Sequence, residues 1–314
     1  MRSAFYREPG RIRDGTDASG EWRAAQSLEG LSLGDAFGER FFVGDDVAAA
    51  SLISRREVPV GLWRWTDDTA MAISVVEELM WSGAIDPDRL AAAFARRYVN
   101  DPVRGYGRGT HQVLGAIAAG THWSIANRLG FADGSRGNGS AMRSAPIGGY
   151  FAGRPDRVIA DARASSIPTH AHPDAIAGAI AVAVAASYAA TVEGRHRRGA
   201  LLEYVAAATP IGPVRAGIEK AQHLLEETPA QAAAVLGSGQ RVLAEDTVPF
   251  SLWCADRNLE SVEEALWAAA AGLGDRDTTC AMVGGVVALS SASGLPTQWV
   301  LRREALPVLG MADA

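Results

Sequence analysis

The chain has 314 residues, of which 48% are hydrophobic and 7% aromatic, and its formal net charge is −6. The hydrophobic fraction suffices for a large core, and the many alanine-rich segments favour closely packed helices. The acidic balance argues against a nucleic-acid-binding surface, because such surfaces normally carry a basic patch.

We expect one domain after a short leader. The length alone would allow two domains of roughly 150 residues each, but no Pro/Ser-rich or strongly charged linker divides the chain. Residues 1–21 are rich in Arg, Asp and Gly and are predicted to be a flexible leader, followed by a single domain over residues 22–314. Only Cys254 and Cys280 are present and no apolar secretory segment is evident, so a reducing, cytoplasmic location is expected.

The first helical pattern begins at Trp22 and is predicted to end at residues 34–38, where glycines bracket Asp35. Glycines arranged in this way indicate a close approach of backbones. Residues 41–63 mix Gly, Asp and β-branched residues, and they are predicted to be a loop.

Two adjacent carboxylates, Asp67 and Asp68, stand at the foot of the next apolar helical pattern. Adjacent acids repel each other, so something cationic is expected to compensate them. The helix dipole could do so, with Thr66 or Asp67 as the N-cap residue. A bound metal ion is the alternative.

Further helical patterns follow along the chain, and strand signals are scarce, so an all-α fold is predicted. The helix after Asp68 should end near Gly83, and Asp86-Pro87 is a cap and first-turn signal for the next one. Other predicted helices cover residues 112–119, 156–165, 173–192, 200–208, 213–226, 229–236, 249–254, 261–271 and 277–291. The uncharged segment 175–192 has the length of a membrane span, but its Ala/Gly content favours the central buried helix of a bundle, and no membrane is expected.

A glycine-rich turn precedes another helix start, at Gly137-Asn138-Gly139-Ser140. Backbone N–H groups in such a turn can cradle a phosphate, and Arg143 one turn later would favour an anion. A plain turn into a helix has the same pattern. Similarly, His170 and His172 could either cap the helix that follows them or contact a ligand.

Near the end of the chain, residues 274–279 repeat the design of acids and hydroxyls placed before an apolar run. Asp275 and Asp277 would join Asp67 and Asp68 in one shared site if the first and last thirds of the chain meet. Carboxylates and hydroxyls suit hard cations such as Mg²⁺ or Mn²⁺, and two ions about 3.5 to 4 Å apart could clamp substrate oxygens and activate water. Capped helices with solvated acids are the alternative explanation for either cluster alone.

Five stretches together resemble the ADP-ribosylglycohydrolase family, in the same order: GDAFG (34–38), WTDDTAM (65–71), GNGSAMRSAPIG (137–148), THAHPDAIAGA (169–179) and GDRDTTCAMVGG (274–285). The resemblance implies a single-domain orthogonal helical bundle with two Mg²⁺ ions at the mouth of a cleft. It also implies hydrolysis of the N- or O-glycosidic bond between ADP-ribose and a modified acceptor, which could be an ADP-ribosylated protein. Arg-linked ADP-ribose is placed first, because it is a common bacterial substrate class in this family. We expect a monomer or a weak oligomer.

The resemblance implies a role for individual residues as well. The expected metal ligands are Thr66, Asp67, Asp68, Asp275, Asp277 and Thr278. The expected substrate-binding residues are Asp35, Gly137, Asn138, Gly139, Ser140, Met142 and His170, with the turn at 137–140 on the diphosphate. Asp67 or Asp68 would act as the base for a water directed at the anomeric carbon, and Glu39 is a third catalytic candidate.

Two positions depart from the family pattern. Many relatives carry a glutamate seven positions after the aspartate of GDAxG, whereas this chain has Phe42 there and its nearest glutamate is Glu39. Arg276 stands where a small polar residue is common, and it could narrow the cleft, contact substrate or point to solvent. A catalytically impaired ADP-ribose binder or structural member is therefore the alternative function. A terpenoid synthase is disfavoured, because its aspartate-rich motif needs a third acid on the next helical turn and this chain has none there.

Overall fold

The computed structural model describes residues 18–192, 195–290 and 294–309, and over these residues the chain is an all-α bundle, as predicted. The described residues form sixteen α-helices and a short 3-10 turn, with two isolated bridges in place of a sheet. The helices are α1 (Ala18–Glu39), α2 (Asp46–Ser54), α3 (Asp67–Ser82), α4 (Pro87–Asn100), α5 (Arg108–Ala118), α6 (Trp123–Ala126), α7 (Ala145–Tyr150), α8 (Pro155–Ser166), α9 (Pro173–Thr191), α10 (Ala200–Ala208), α11 (Pro213–Ala221), α12 (Pro229–Leu236), α13 (Ala244–Arg257), α14 (Val262–Ala270), α15 (Arg276–Val287) and α16 (Thr297–Val300).

The signals that begin and end the central helices act as predicted. Thr66 is the N-cap residue of α3, because its Oγ1 accepts a hydrogen bond from the Asp68 N–H at 3.4 Å. Gly83 ends α3 in the left-handed conformation, with φ at 71°. Asp86 then caps α4 through the N–H groups of its first turn, and Pro87 occupies the first helical position.

Helix α1 differs from its prediction at both ends. It begins at Ala18, so residues 18–21 of the predicted leader are helical, while residues 1–17 lie outside the described part of the chain. It also continues through the glycines at 34–38 to Glu39, although glycine disfavours a helix interior. These glycines are buried against another helix, and the packing outweighs their low helix propensity.

Other helices were also missed or misplaced. Helix α6 was not predicted, and α11 ends at Ala221, five residues before its predicted end. Helix α2 lies within residues 41–63, which were predicted to be a loop. Its N-cap residue is Asp45. Only Ala49 and Ile53 are buried, which is too few for a hydrophobic period to be visible in the sequence. Helix α5 begins at Arg108, four residues before its predicted start. Helix α13 begins five residues before Pro249 and keeps that proline inside, packed so closely on α11 that a Cβ atom on Gly217 would lie 2.5 Å from its Cγ.

Helices α1 and α15 are in backbone contact. Gly30, Gly34 and Gly38 recur every four residues on α1, so they share one face. A Cβ atom on Gly34 would lie 2.0 Å from the carbonyl oxygen of Cys280, and one on Gly38 would lie 2.2 Å from that of Arg276. The pairing is antiparallel, since Gly30 meets Gly284 further along α15. The C-terminal end of α1 therefore lies beside the N-terminal end of α15.

Helix α9 is the long apolar helix of the bundle. By length and composition it could cross a membrane, but 78% of its most apolar window is buried inside the protein. Gly178 lets α13 approach it, because a Cβ atom there would lie 3.0 Å from the Cβ of Ala244. This burial fits the predicted central helix of a bundle.

The α1–α15 contact predicts the effect of one added methyl group. Gly34→Ala should lower the free energy of unfolding by about 3 kcal/mol, the upper end of ordinary overpacking, because the new Cβ meets backbone that cannot rotate away. Gly115→Ala in α5 is the matched control, since a Cβ atom there meets nothing within 4 Å. This substitution should be neutral or should stabilise the protein by up to about 1 kcal/mol. Urea denaturation of both variants measures the difference, and equal stabilities would contradict the close packing.

Candidate active site

The two acidic clusters meet at the N-terminal ends of α3 and α15. The Thr278 hydroxyl donates to the Asp68 carboxylate at 3.3 Å, which is a direct contact between the clusters. The Thr66 hydroxyl lies 3.3 Å from the other oxygen of Asp68. The structure thus brings together the acids and hydroxyls that the sequence placed 210 residues apart.

These acids raise one another's pKa values. Burial and then the charge of Asp35 raise the pKa of Asp67 to about 7. Burial, followed by neighbouring acids, also raises the pKa of Asp68 and of Asp277 well above the ordinary value. The Oδ1 atom of Asp277 is buried without a hydrogen-bond partner. A group of carboxyl groups in this condition lacks a compensating positive charge.

The donor set fits a hard cation. It consists of the Asp67, Asp68, Asp275 and Asp277 carboxylates and the Thr66 and Thr278 hydroxyls, all of them oxygen donors. Within the described ranges, no three His, Cys, Asp or Glu side chains form a ready-made metal cage. Carboxylates and hydroxyls from both clusters would be needed to hold an ion there. The partnerless oxygen of Asp277 is available for such a contact.

Asp35 supports the start of α3. Its carboxylate accepts hydrogen bonds from the Thr66 N–H at 2.9 Å, the Thr69 N–H at 3.0 Å and the Thr69 hydroxyl at 2.5 Å. The side chain is fully buried, and this burial raises its pKa to about 6. These hydrogen bonds make Asp35 a support for Thr66 and Thr69, and its expected role in substrate binding stays a prediction.

The turn at residues 137–140 is hydrogen-bonded to the acidic cluster at the start of α15. The Asn138 side-chain amide donates to Asp275 Oδ2 at 2.6 Å and to Thr247 Oγ1 at 3.1 Å. Part of the predicted phosphate cradle is already committed within the protein, since the Gly137 N–H donates to Ser135 Oγ and the Asn138 N–H to a backbone carbonyl. The Ser140 hydroxyl likewise donates to the Ala175 carbonyl. The turn therefore has fewer free donors than its sequence suggests.

Arg143 does not face a ligand, contrary to the expectation that it favours an anion. It is fully buried, with its guanidinium 4.4 Å from the centre of the Phe94 ring. It donates to the Gly139 carbonyl at 3.0 Å, to the Ser165 carbonyl at 2.6 Å and to the Thr169 hydroxyl at 2.9 Å. Burial lowers its pKa to about 9. Arg143 thus joins the turn to the end of α8.

The two histidines have different positions. His172 caps α9, because its Nδ1 accepts from the Asp174 N–H at 3.1 Å. His170 is buried against the turn, and a Cβ atom on Gly139 would lie 2.8 Å from its Cε1. Burial lowers the pKa of His170 to about 3, so the ring is neutral. The same Cβ position lies 3.8 Å from the Met142 sulfur, so Met142 underlies this part of the turn.

The two departures from the family pattern, Phe42 and Arg276, are in contact with each other beside the end of α1. Arg276 is buried, and it donates to Asp46 Oδ1 at 2.9 Å with its guanidinium 4.5 Å from the Phe42 ring. It therefore does not point to solvent but ties the segment that carries Phe42 to the start of α15. Glu39 is partly buried at the end of α1, and desolvation there raises its pKa. Its catalytic role stays a prediction.

A family model described as ADP-ribosylglycohydrolase matches residues 16–313. The chain belongs to the ADP-ribosylglycohydrolase family. An ADP-ribosylhydrolase ARH3 from Xenopus tropicalis is 34% identical over 55% of this chain and 51% of that protein, about half of each. The ARH3 of Mus musculus is 28% identical over 87% of this chain and 85% of that protein. An ADP-ribosylarginine hydrolase Tri1 from Serratia proteamaculans is 25% identical over 88% of this chain and 74% of that protein.

A solved structure has the same fold. It is described as an ADP-ribosylglycohydrolase-related protein complex, with a TM-score of 0.64 and 23% identity over 91% of this chain and 93% of that one. Membership of the ADP-ribosylglycohydrolase family makes the protein a glycosidase-type hydrolase that acts on an ADP-ribose-containing substrate. The family resemblance stated from the sequence is thereby confirmed.

Two supporting groups of this site have no role in the predictions from the sequence. Thr69 and Thr169 both lie in motifs that were quoted for the resemblance, yet neither was given a role. Their hydroxyls bind Asp35 and His170. The sequence signal that could have indicated them is their position next to Asp68 and His170, two residues with an expected role. A hydroxyl next to a buried acid or histidine is a candidate hydrogen-bond partner.

The raised pKa values predict how stability depends on pH. Asp35 and Asp67 have pKa values of about 6 and 7 in the folded protein, against about 3.9 in an unfolded chain. Between the unfolded and folded pKa values the folded protein holds more protons than the unfolded chain, so in EDTA the free energy of unfolding should fall as pH rises from about 4 to 7. Asp67→Asn should flatten this slope. Urea titrations at several pH values measure both proteins, and equal slopes would contradict the assignment.

Proposed function

We propose that this protein uses two Mg²⁺ ions, or Mn²⁺ in their place, to hydrolyse the glycosidic bond between ADP-ribose and a modified acceptor. The observation that carries the proposal is the meeting of two acid-and-hydroxyl clusters through the contact of Thr278 with Asp68. Acids that raise one another's pKa values cost stability unless a ligand with positive charge occupies the site. Family membership gives the ADP-ribose-containing substrate.

The residues that would hold the ions lie on two helix ends. Thr66, Asp67 and Asp68 would act from α3, and Asp275, Asp277 and Thr278 from α15. When bound, the ions would supply positive charge that stabilises oxygen atoms of the substrate and aligns them for attack at the anomeric carbon. The protein's own part is to hold both helix ends in place. Asp35 does this for α3, and Asn138 does it for Asp275.

Asp67 is the better placed of the two candidate bases. Asp68 is 1% exposed and accepts from both threonine hydroxyls, whereas Asp67 is partly exposed. A carboxylate that water can reach can accept a proton as the water attacks the anomeric carbon. The bond to the leaving group breaks as an oxocarbenium-like centre develops, and the proton that the carboxylate takes from water passes to the departing nitrogen or oxygen. Asp68 is instead suited to hold a fixed negative charge beside the proposed ions.

Arginine is the acceptor that we propose first. A guanidinium leaving group carries positive charge, and the site presents several carboxyl groups within a small volume. The Serratia relative is described as an ADP-ribosylarginine hydrolase, which is consistent with this choice. Serine-linked and acyl-linked ADP-ribose are the competing substrates. Turnover of matched Arg-, Ser- and acyl-linked peptides decides among them, and a preference for either competitor would overturn the arginine assignment.

Cation dependence is the first test of the reaction. EDTA should abolish release of ADP-ribose from modified peptides, and Mg²⁺ should restore it. Asp68→Asn and Asp277→Asn should each lower kcat/KM by at least about 100-fold, equivalent to about 2.7 kcal/mol of lost transition-state stabilisation. Asp133→Asn is the control, because this acid is exposed, lies in a turn and belongs to neither acidic cluster. Full activity of either site variant in EDTA would exclude the two-ion proposal.

A binder without turnover is the second candidate function. Phe42 favours it, because this residue occupies the position at which many family members carry a glutamate. The two functions separate in one experiment with a labelled modified peptide and Mg²⁺. A hydrolase releases ADP-ribose with time, whereas a binder shows saturable binding and no product.

A further inference from the structure

Residues 297–306, which we call the C-terminal segment, lie beside the residues that lead into α3. The Trp63 N–H donates to the Arg302 carbonyl at 3.0 Å, and the Glu304 N–H donates to the Trp63 carbonyl at 2.8 Å. Trp63 and Arg303 thereby form a parallel bridge between the two stretches of chain. The C-terminal segment therefore holds the backbone just before Thr66, one of the proposed metal ligands.

Arg104 links the C-terminal segment to Trp65 through its side chain. Its Nη1 and Nη2 atoms each donate to one carboxylate oxygen of Glu304, both at 2.7 Å. Nη1 also donates to the Trp65 carbonyl at 3.1 Å, and the guanidinium carbon lies 3.7 Å from the centre of the Trp65 ring. The Nε–H donates to Asp101 at 2.7 Å. A planar guanidinium bound through two prongs has a defined orientation, so it holds the Trp65 carbonyl in one place.

The loop that carries Arg104 lies beside two of the proposed metal ligands. A Cβ atom on Gly105 would lie 3.5 Å from Asp67 Oδ1 and 3.6 Å from the Thr66 Cβ atom. Burial and then the charge of Asp67 raise the pKa of Tyr106, the next residue. A displacement of Arg104 would therefore reach Thr66 through Trp65 and Asp67 through Gly105.

The C-terminal segment is itself anchored on α1. The Arg303 side chain is buried, donates to the Ser32 hydroxyl and pairs with Glu29 at 2.9 Å. Helix α1 also carries Asp35, whose carboxylate binds the Thr66 N–H. Thr66 is thus connected to α1 twice, directly through Asp35 and indirectly through the C-terminal segment and its contact with Arg104.

The ion pair of Arg104 with Glu304 has a geometric consequence. The two side chains are 17% and 25% exposed, so both charges are largely withdrawn from water. The desolvation cost of such a pair often cancels its attraction, and apolar side chains of the same volume can stabilise a fold equally well. Apolar contacts do not fix a direction as a two-pronged pair does. The pair therefore specifies a position more than it adds stability.

We propose that Arg104 and Glu304 are positioning residues that hold Thr66 and Asp67 in the arrangement that binds Mg²⁺. Arg104 fixes the backbone before Thr66 through the Trp65 carbonyl, and its loop borders Asp67. The Mg²⁺ half of this inference rests on the proposed function, whereas the placement of residues 63–67 belongs to the ligand-free protein. Loss of a group that orients a metal ligand typically lowers metal affinity about 10- to 100-fold.

Magnesium affinity tests the positioning role. Arg104→Lys keeps the positive charge but loses the two-pronged contact, so calorimetric titration with Mg²⁺ should show binding about tenfold weaker than in wild type. Glu304→Gln should weaken binding to a similar extent.

Asp101→Asn is the charge control for these variants. It removes an acid from the same arginine but leaves the contacts of Arg104 with Glu304 and Trp65. Its Mg²⁺ affinity should stay within about twofold of wild type, the size of a surface ion-pair effect. Wild-type affinity in Arg104→Lys, or an equal loss in Asp101→Asn, would overturn the proposal.

Glu29→Gln separates positioning from a general loss of stability. It removes an ion pair from the same C-terminal segment, and the Glu29 side chain is 23% exposed, close to the 25% of Glu304. Glu304→Gln should need about tenfold more Mg²⁺ for half-maximal turnover and should approach the wild-type kcat at saturating Mg²⁺. Glu29→Gln should keep the wild-type Mg²⁺ dependence. An equal shift in both variants would assign the effect to the fold and contradict the positioning role.

The failures of the two proposals are distinguishable. If wild type binds no Mg²⁺, the proposed function fails and the Mg²⁺ half falls with it, whereas hydrogen exchange of the ligand-free protein still decides the placement. Residues 63–67 and 103–106 should exchange faster in Arg104→Lys than in wild type or Glu29→Gln, and equal exchange would exclude the placement. If wild type binds Mg²⁺ and releases ADP-ribose, but Arg104→Lys and Glu304→Gln keep the wild-type affinity, the function stands and the positioning role is excluded.

Discussion

The backbone contact between α1 and α15 is the constraint on which the site depends. The two helices lie far apart in sequence. Helix α1 carries Asp35, which supports the start of α3, and α15 carries Asp277 and Thr278 of the second acidic cluster. Gly34 and Gly38 allow carbonyl groups of α15 to reach the α1 backbone, at a distance that any side chain would prevent. Asp35 lies between these glycines and is thereby placed under the start of α3. One tight interface thus sets the relative positions of three helix ends.

The acid cluster works against this packing. Burial and mutual repulsion raise the pKa values of Asp67, Asp68 and Asp277, so their ionisation costs folding free energy. The rest of the bundle outweighs this cost, with aromatic packing next to the site at Phe37 and Trp267, whose ring centres are 4.9 Å apart. The frame thus holds these carboxyl groups close together although they repel one another when ionised. A site of this kind stores part of its binding energy in the folded protein.

Local signals predicted most helices, and long-range contacts account for most of the errors. Thr66, Gly83 and Asp86-Pro87 act through their immediate neighbours, so their capping roles could be deduced from the sequence. By contrast, the glycines of α1 look like a helix end unless the approach of α15 is known. Arg143 was misjudged for the same reason, because a buried arginine and an anion-binding arginine have the same local sequence. Only tertiary packing separates them.

The two halves of the site form one connected unit. Asn138 belongs to the turn beside His170, yet its amide binds Asp275 of the acid cluster at 2.6 Å. A shift of the turn therefore moves a carboxylate that is expected to bind a cation, and the two ends of a ligand are held at a fixed separation. The segment that carries Phe42 is attached to the bundle by the ion pair and ring contact of Arg276 and by an ion pair between Arg56 and Glu264. Arg276 therefore couples that segment to the start of α15, the helix on which Asp277 and Thr278 lie.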